Sequence, residues 1–101
     1  MKLLTDGIMK KLPKINATDG RPASQRKVIV KFFNLRTNWR WYILEGQQLE
    51  NGDWELYGYV KGLDEEFGYV LLSELQSVRS IERDMYFGNP TLQEVLDGKV
   101  F

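Results

Sequence analysis

With 101 residues, 43% of them hydrophobic and 28% charged, the chain is long enough to bury one core and too apolar to be intrinsically disordered. It contains neither cysteine nor histidine, which excludes disulfides, thiolate metal sites, cysteine nucleophiles and the commonest general base. Its formal charge of zero hides a division: residues 1–40 hold ten Lys or Arg against two Asp, and residues 41–101 hold four against twelve acids.

Antiparallel pairing of the two halves would dissolve that division into cross-strand pairs. The alternative is a basic end that attracts nucleic acid or an acidic partner. The opening MKLLTDGIMKKLP is too short in its apolar run, and too interrupted by charge, for a signal peptide. No stretch approaches the roughly 18 apolar residues of a membrane span. A single domain over residues 1–101, cytoplasmic and free of membrane, is the expectation.

The first element is a short helix in LLTDGIMKKLP, residues 3–13. Thr5 or Asp6 caps it, Ile8, Met9 and Leu12 form its apolar stripe, and Pro13 stops it. Gly7 weakens it by about 1 kcal/mol relative to alanine, so docking has to hold it in place. A loop follows in NATDGRPASQ, residues 16–25, marked by Asp19-Gly20 and Pro22.

Four strands come next. KVIVKFF (27–33) sets Val28, Val30 and Phe32 against Ile29 and Phe33, and WRWYILE (39–45) sets Trp39, Trp41 and Ile43 against Arg40, Tyr42 and Leu44. DWELYGYVK (53–61) sets Trp54, Leu56 and Val60 against Glu55, Tyr57, Tyr59 and Lys61; FGYVLL (67–72) is the fourth. The connections NLRTN, GQQLENG and GLDEE are short and rich in turn residues, as consecutive hairpins require. No strand alternates cleanly between apolar and polar, so both sheet faces are partly covered or one is used for contact.

Ser73 opens a helical turn, with SELQ fitting a capping box and Leu75 and Val78 docking it. Residues 81–87 read as a short extended segment. NPTLQEVLDG is the best-marked helix: Asn89 or Thr91 caps it, Thr91 and Glu94 form a capping box, Leu92, Val95 and Leu96 its stripe, and Gly98 its end. The fold class is therefore α+β: an antiparallel meander sheet of four to five strands in consecutive order, with short N-terminal and C-terminal helices packed on it.

Two acidic groups invite a chemical reading. Glu82 and Asp84 share one face of an extended segment, about 6–7 Å apart, a spacing that suits Mg²⁺ or acid–base hydrolysis. Without a histidine or a third ligand they are better read as the polar edge of the fold, paired with Arg79, Arg83 or a basic strand. GLDEEFG (62–68) lacks the acid spacing of a calcium loop and reads as a solvated hairpin tip. No catalytic residue, metal or cofactor is assigned.

Binding has more support. Trp39, Trp41, Trp54 and Phe67 are assigned to the core. Tyr57 and Tyr59 share a face with Glu55 and Lys61, and tyrosine beside charge suits a protein interface. The expected contact face is Glu55, Tyr57, Tyr59, Asp64, Glu65 and Glu66. The alternative, nucleic-acid binding, would use Lys10, Lys11, Lys14, Arg21, Arg26, Arg36 and Arg40, and would show as affinity falling steeply with salt. A homodimer through the tyrosine face is a further possibility.

The order N-W-x-W-Y (Asn38, Trp39, Trp41, Tyr42), G-Y-V-x-G (Gly58–Gly62), G-Y-x-x-L-S-E-L (Gly68, Tyr69, Leu72–Leu75) and E-R-D-x-Y-F (Glu82–Asp84, Tyr86, Phe87) resembles a small bacterial domain family of unknown function. Its members are carried on plasmids, conjugative elements and phages. Val70-Leu71 departs from the more polar run expected there. The resemblance brings no activity and no catalytic residue. It implies a non-enzymatic module of a mobile genetic element, of the kind that inhibits a host defence nuclease complex as anti-CRISPR and anti-restriction proteins do. The implied partner is a host protein, such as that nuclease or one of its subunits.

Overall fold

The computed structural model describes residues 1–100. It contains helix α1 (Asp6–Lys11), a 3-10 turn (Ala23–Gln25), strands β1 (Val30–Asn34), β2 (Arg40–Gln48), β3 (Trp54–Lys61) and β4 (Glu65–Leu71), helix α2 (Leu72–Gln76), strand β5 (Ile81–Arg83) and helix α3 (Leu92–Leu96). The strands form one antiparallel sheet in the order β4-β3-β2-β1-β5. The α+β meander expected from the sequence is present. The fifth strand departs from consecutive order: the chain crosses back from β4 and β5 pairs with β1, setting Arg83 opposite Phe32 and Ile81 opposite Asn34.

Alternation along the strands builds a core on each face of the sheet. On the first face Val30, Phe32, Trp41, Ile43, Leu56 and Ile81 meet Leu3, Leu4 and Leu12 from the N-terminal segment and Leu72 and Leu75 from α2. On the second face Tyr42, Leu44 and Tyr59 meet Val28 and, from α3, Leu92 and Val95. Val28 therefore lies in the opposite core from Val30 and Phe32. The chain turns over before β1 begins, with the Val28 amide donating to the Pro90 carbonyl and the Ile29 amide to Ile43.

The helix ends follow the side-chain chemistry. The Thr5 hydroxyl accepts from the Ile8 amide and caps α1, and Thr91 and Glu94 close a reciprocal capping box on α3. Helix α2 differs from expectation. Its cap is Leu71, whose amide donates to Glu74, because the Ser73 hydroxyl is engaged by Asp53 at 2.6 Å.

A bulge in β2 sets up the second face. Ile43 opposes Gly58 and Glu45 opposes Tyr57, so Leu44 is the extra residue. Leu44 and Glu45 both turn to the second face, and Glu45 is carried into the interior with 1% exposure.

Candidate functional site

The second face is unevenly covered. Helix α3 and the 3-10 turn pack over the β1–β2 side and leave the β3–β4 side open. Cross-strand register explains what is exposed there: Tyr69 lies opposite Tyr57, and Phe67 opposite Tyr59. Rings placed in this way touch in sequence. Phe87 lies 5.8 Å from Tyr42, Tyr42 6.1 Å from Tyr59, and Tyr59 5.2 Å from Phe67. Phe67 stacks with Tyr57 at 6.3 Å, and Tyr57 meets Tyr69 at 4.9 Å. Exposure varies along the row: Phe87 is half-buried and Tyr42 fully covered, whereas Phe67 and Tyr69 are 45% and 58% exposed.

Charge frames the open end. The Arg26 guanidinium lies 6.0 Å from the Tyr57 ring centre, and Lys61 approaches Glu65 at 3.9 Å. The Tyr59 hydroxyl donates to Glu65 at 2.8 Å. Burial first, and then that carboxylate, push the Tyr59 phenol up to about 12, so it stays protonated as a donor at neutral pH.

Two buried ion pairs hold this face in shape. Glu45 accepts the backbone amides of Asn16 and Thr18 at 2.8 Å each, the Thr18 hydroxyl, and Arg26 at 3.3 Å. Burial alone would raise the Glu45 pKa, but the Thr18 and Asn16 hydrogen bonds and the Arg26 charge outweigh it and hold the group below its usual range. On the β1 side Lys31, 6% exposed, reaches Asp84 at 3.4 Å. Its ammonium sits 5.6–5.8 Å from the ring centres of Phe33, Tyr42 and Phe87. Burial lowers the Lys31 pKa, and the Asp84 charge opposes that shift.

Both pairs join the basic first part of the chain to the acidic second part. Arg83 and Asp84 also tie the two parts of the chain together. Arg83 turns to the first face and donates to the Lys2 and Leu3 carbonyls, while Asp84 goes to Lys31 and also accepts the Tyr86 amide. Glu82 and Asp84 are thus parts of the sheet edge. Among the described residues no group of three or more Asp or Glu could hold a metal ion.

Of the expected contact residues, Glu55, Tyr57, Tyr59 and Glu65 share the second face. Tyr59 is 6% exposed and lies beneath Phe67 and Glu65 rather than at the surface. Asp64 belongs to the hairpin turn, and Glu66, opposite Val60, projects from the other face. Phe67, expected in the core, is a surface ring, and Trp39 is also more than a third exposed. Phe67 and Tyr69 are exposed rings of this face that the sequence-based contact set leaves out. Their signal was the same i, i+2 spacing that linked Tyr57 to Tyr59.

The seven basic candidates do not converge. Lys10 and Lys11 end α1 above the first face, and Lys14 lines a groove there with Met9, Leu12 and Trp54. Arg26 is held by Glu45 on the second face, Arg36 sits in the β1–β2 turn, and Arg21 is in the loop after α1. Arg40 projects from β2 beside the Tyr42 hydroxyl.

Compared with protein-family models, curated proteins and solved structures, the chain matches none. No helix among the described residues is long and apolar enough to cross a membrane.

Proposed function

We propose that this chain is a non-enzymatic protein-binding module whose contact surface is the open aromatic half of the second face: Tyr57, Phe67 and Tyr69, rimmed by Glu55, Glu65, Lys61 and Arg26. The observation that carries the reading is the exposure of Phe67 and Tyr69 in a row of rings whose other members are buried or half-buried. Rings held by their neighbours lose little side-chain entropy on binding, and a mixed-charge rim supplies orientation. A protein surface fits this better than nucleic acid. Of the bases beside the rings, Arg26, Lys31 and Lys61 each face a carboxylate, at 3.3, 3.4 and 3.9 Å, and the remaining bases are spread over both faces. With the resemblance to the mobile-element family, the partner becomes a host protein, and the module an inhibitor of a defence nuclease complex in the host cytoplasm.

The test uses immobilised wild-type protein and a Phe67→Ala/Tyr69→Ala variant, each incubated with nuclease-treated bacterial lysate. A protein retained by wild type and lost by the equally folded variant is the expected result; equal retention by both removes the aromatic face as the site. Anisotropy of a labelled single-stranded oligonucleotide at physiological salt is expected to stay flat. A rise that falls steeply with added salt would transfer the function to the basic residues.

A further inference from the structure

The two edges of the sheet are protected very differently. Strand β5 is three residues long and bears Glu82 and Arg83, and Arg83 ties it to Met1, Lys2 and Leu3. A short, charged, covered edge resists pairing with another strand. At the opposite edge β4 runs for seven residues, and from Phe67 to Leu71 it carries no charge and no proline. Its register with β3 is continuous from Glu55 opposite Leu71 to Lys61 opposite Glu65, so no bulge interrupts it. Short of Leu71, whose amide donates to Glu74, such a strand presents a row of unpaired backbone donors and acceptors.

We propose that β4 pairs antiparallel with β4 of a second copy of this chain about a two-fold axis at Gly68, joining the two sheets into one. Residue 68 is the midpoint of Glu65–Leu71, so this register uses the full strand. It sets Phe67 opposite the second copy's Tyr69, Glu66 opposite Val70, and Glu65 opposite Leu71. Each ring meets a ring and neither acid meets an acid. Moving the axis to Glu66 would bring like charges together, and moving it to Phe67 or Tyr69 would leave strand residues facing a turn or α2. The second face stays open in this pair, and the rings of the two copies form one continuous row. The inference does not rest on the proposed function. A single paired edge is small for a stable dimer, so the association is reversible and concentration-dependent.

The chain has no native cysteine, so Gly68→Cys introduces one thiol. A Cβ at residue 68 meets nothing within 4 Å, and across the axis its counterpart lies within reach of a disulfide. The control is Tyr86→Cys, at a side chain 95% exposed beyond the opposite edge. Under mild oxidation at equal concentration, the residue-68 thiols are expected to cross-link at least ~10-fold faster, because the pair holds them at high effective concentration. Sedimentation of the wild type should show dimer rising with concentration. Val70→Glu, which faces Glu66 of the second copy, should weaken it, and adding Glu66→Lys should restore it. Residues 66 and 70 lie roughly 13 Å apart along one strand, so that rescue cannot arise within a single copy. Equal cross-linking rates, or a dimer indifferent to Val70→Glu, would overturn the proposal. A wild type that stays monomeric at every concentration would also overturn it, leaving the edge to a strand from another protein.

Discussion

Gly58 and Gly68 face each other across β3 and β4, yet the fold forbids a side chain at only one of them. A Cβ on Gly58 would lie 2.0 Å from the Tyr42 carbonyl oxygen and 2.9 Å from the Ile43 Cα, where the β2 bulge presses its backbone against β3. A Cβ on Gly68 would meet nothing within 4 Å. Gly58→Ala must therefore push two strands apart and is expected to cost at least ~3 kcal/mol. Gly68→Ala should stabilise by about 0.5–1 kcal/mol, since glycine inside a strand carries an entropic penalty. Urea midpoints of the two variants check this, and equal costs would mean that the bulge is misplaced.

The Glu45 lock predicts an acid-sensitive stability. Its native pKa is depressed below the ordinary 4.5, so the unfolded chain takes up the proton first as the pH falls. Its contribution is complete above that value and is lost as the pH drops through the lower native pKa. Glu45→Gln puts an amide where two backbone amides and a hydroxyl donate, and is expected to cost roughly 2–3 kcal/mol at pH 7. Denaturation of both proteins from pH 7 to pH 2 should show the difference shrinking toward acid. A gap independent of pH would mean that the carboxylate's charge plays no part.

The strands and helices were legible because their side-chain periods are strong. Trp41, Tyr42 and Ile43 alternate between the two cores as their positions dictate, and Thr91 with Glu94 announced the α3 cap. The bulge was not legible, since no glycine or proline marks β2 at Leu44, and with it went the burial of Glu45. The α2 cap was misplaced because Ser73 is claimed by Asp53, twenty residues away in sequence, and local pattern carries no such information. The pairing of β5 with β1 was hidden for a related reason: three residues hold too little periodicity to choose a neighbour. Tyr57 and Tyr59 pointed to the face on which the exposed rings lie. Which rings stay exposed depends on where α3 and the 3-10 turn stop, a tertiary fact.

Lys31 and Asp84 give a second test of buried charge. Asp84→Asn leaves the Lys31 ammonium among three rings without its counterion and should cost about 1–3 kcal/mol, below the fully buried range because the Asp84 side chain retains 26% exposure. Lys31→Met with Asp84→Asn removes both charges and should recover most of that loss. The lowered Lys31 pKa adds a pH signature. The unfolded chain holds that proton more tightly, so wild-type stability gains from this group as the pH rises through the lowered native value toward 10.5. Urea titrations between pH 7 and pH 10 should find this gain in wild type and not in the double variant.

The aromatic row should separate structural rings from surface ones. Phe32 is fully buried in the first core, and Phe32→Ala is expected to cost about 3–5 kcal/mol. Phe67 and Tyr69 gain only partial burial and their contacts with Tyr57 and Tyr59, so Phe67→Ala and Tyr69→Ala should each cost about 0.5–1 kcal/mol. Thermal melts of the three variants decide it. Surface rings that cost so little to remove stabilise the monomer only slightly, which leaves their hydrophobic area available to a partner. A loss at Phe67 equal to that at Phe32 would make the ring part of the core and withdraw it from the binding face.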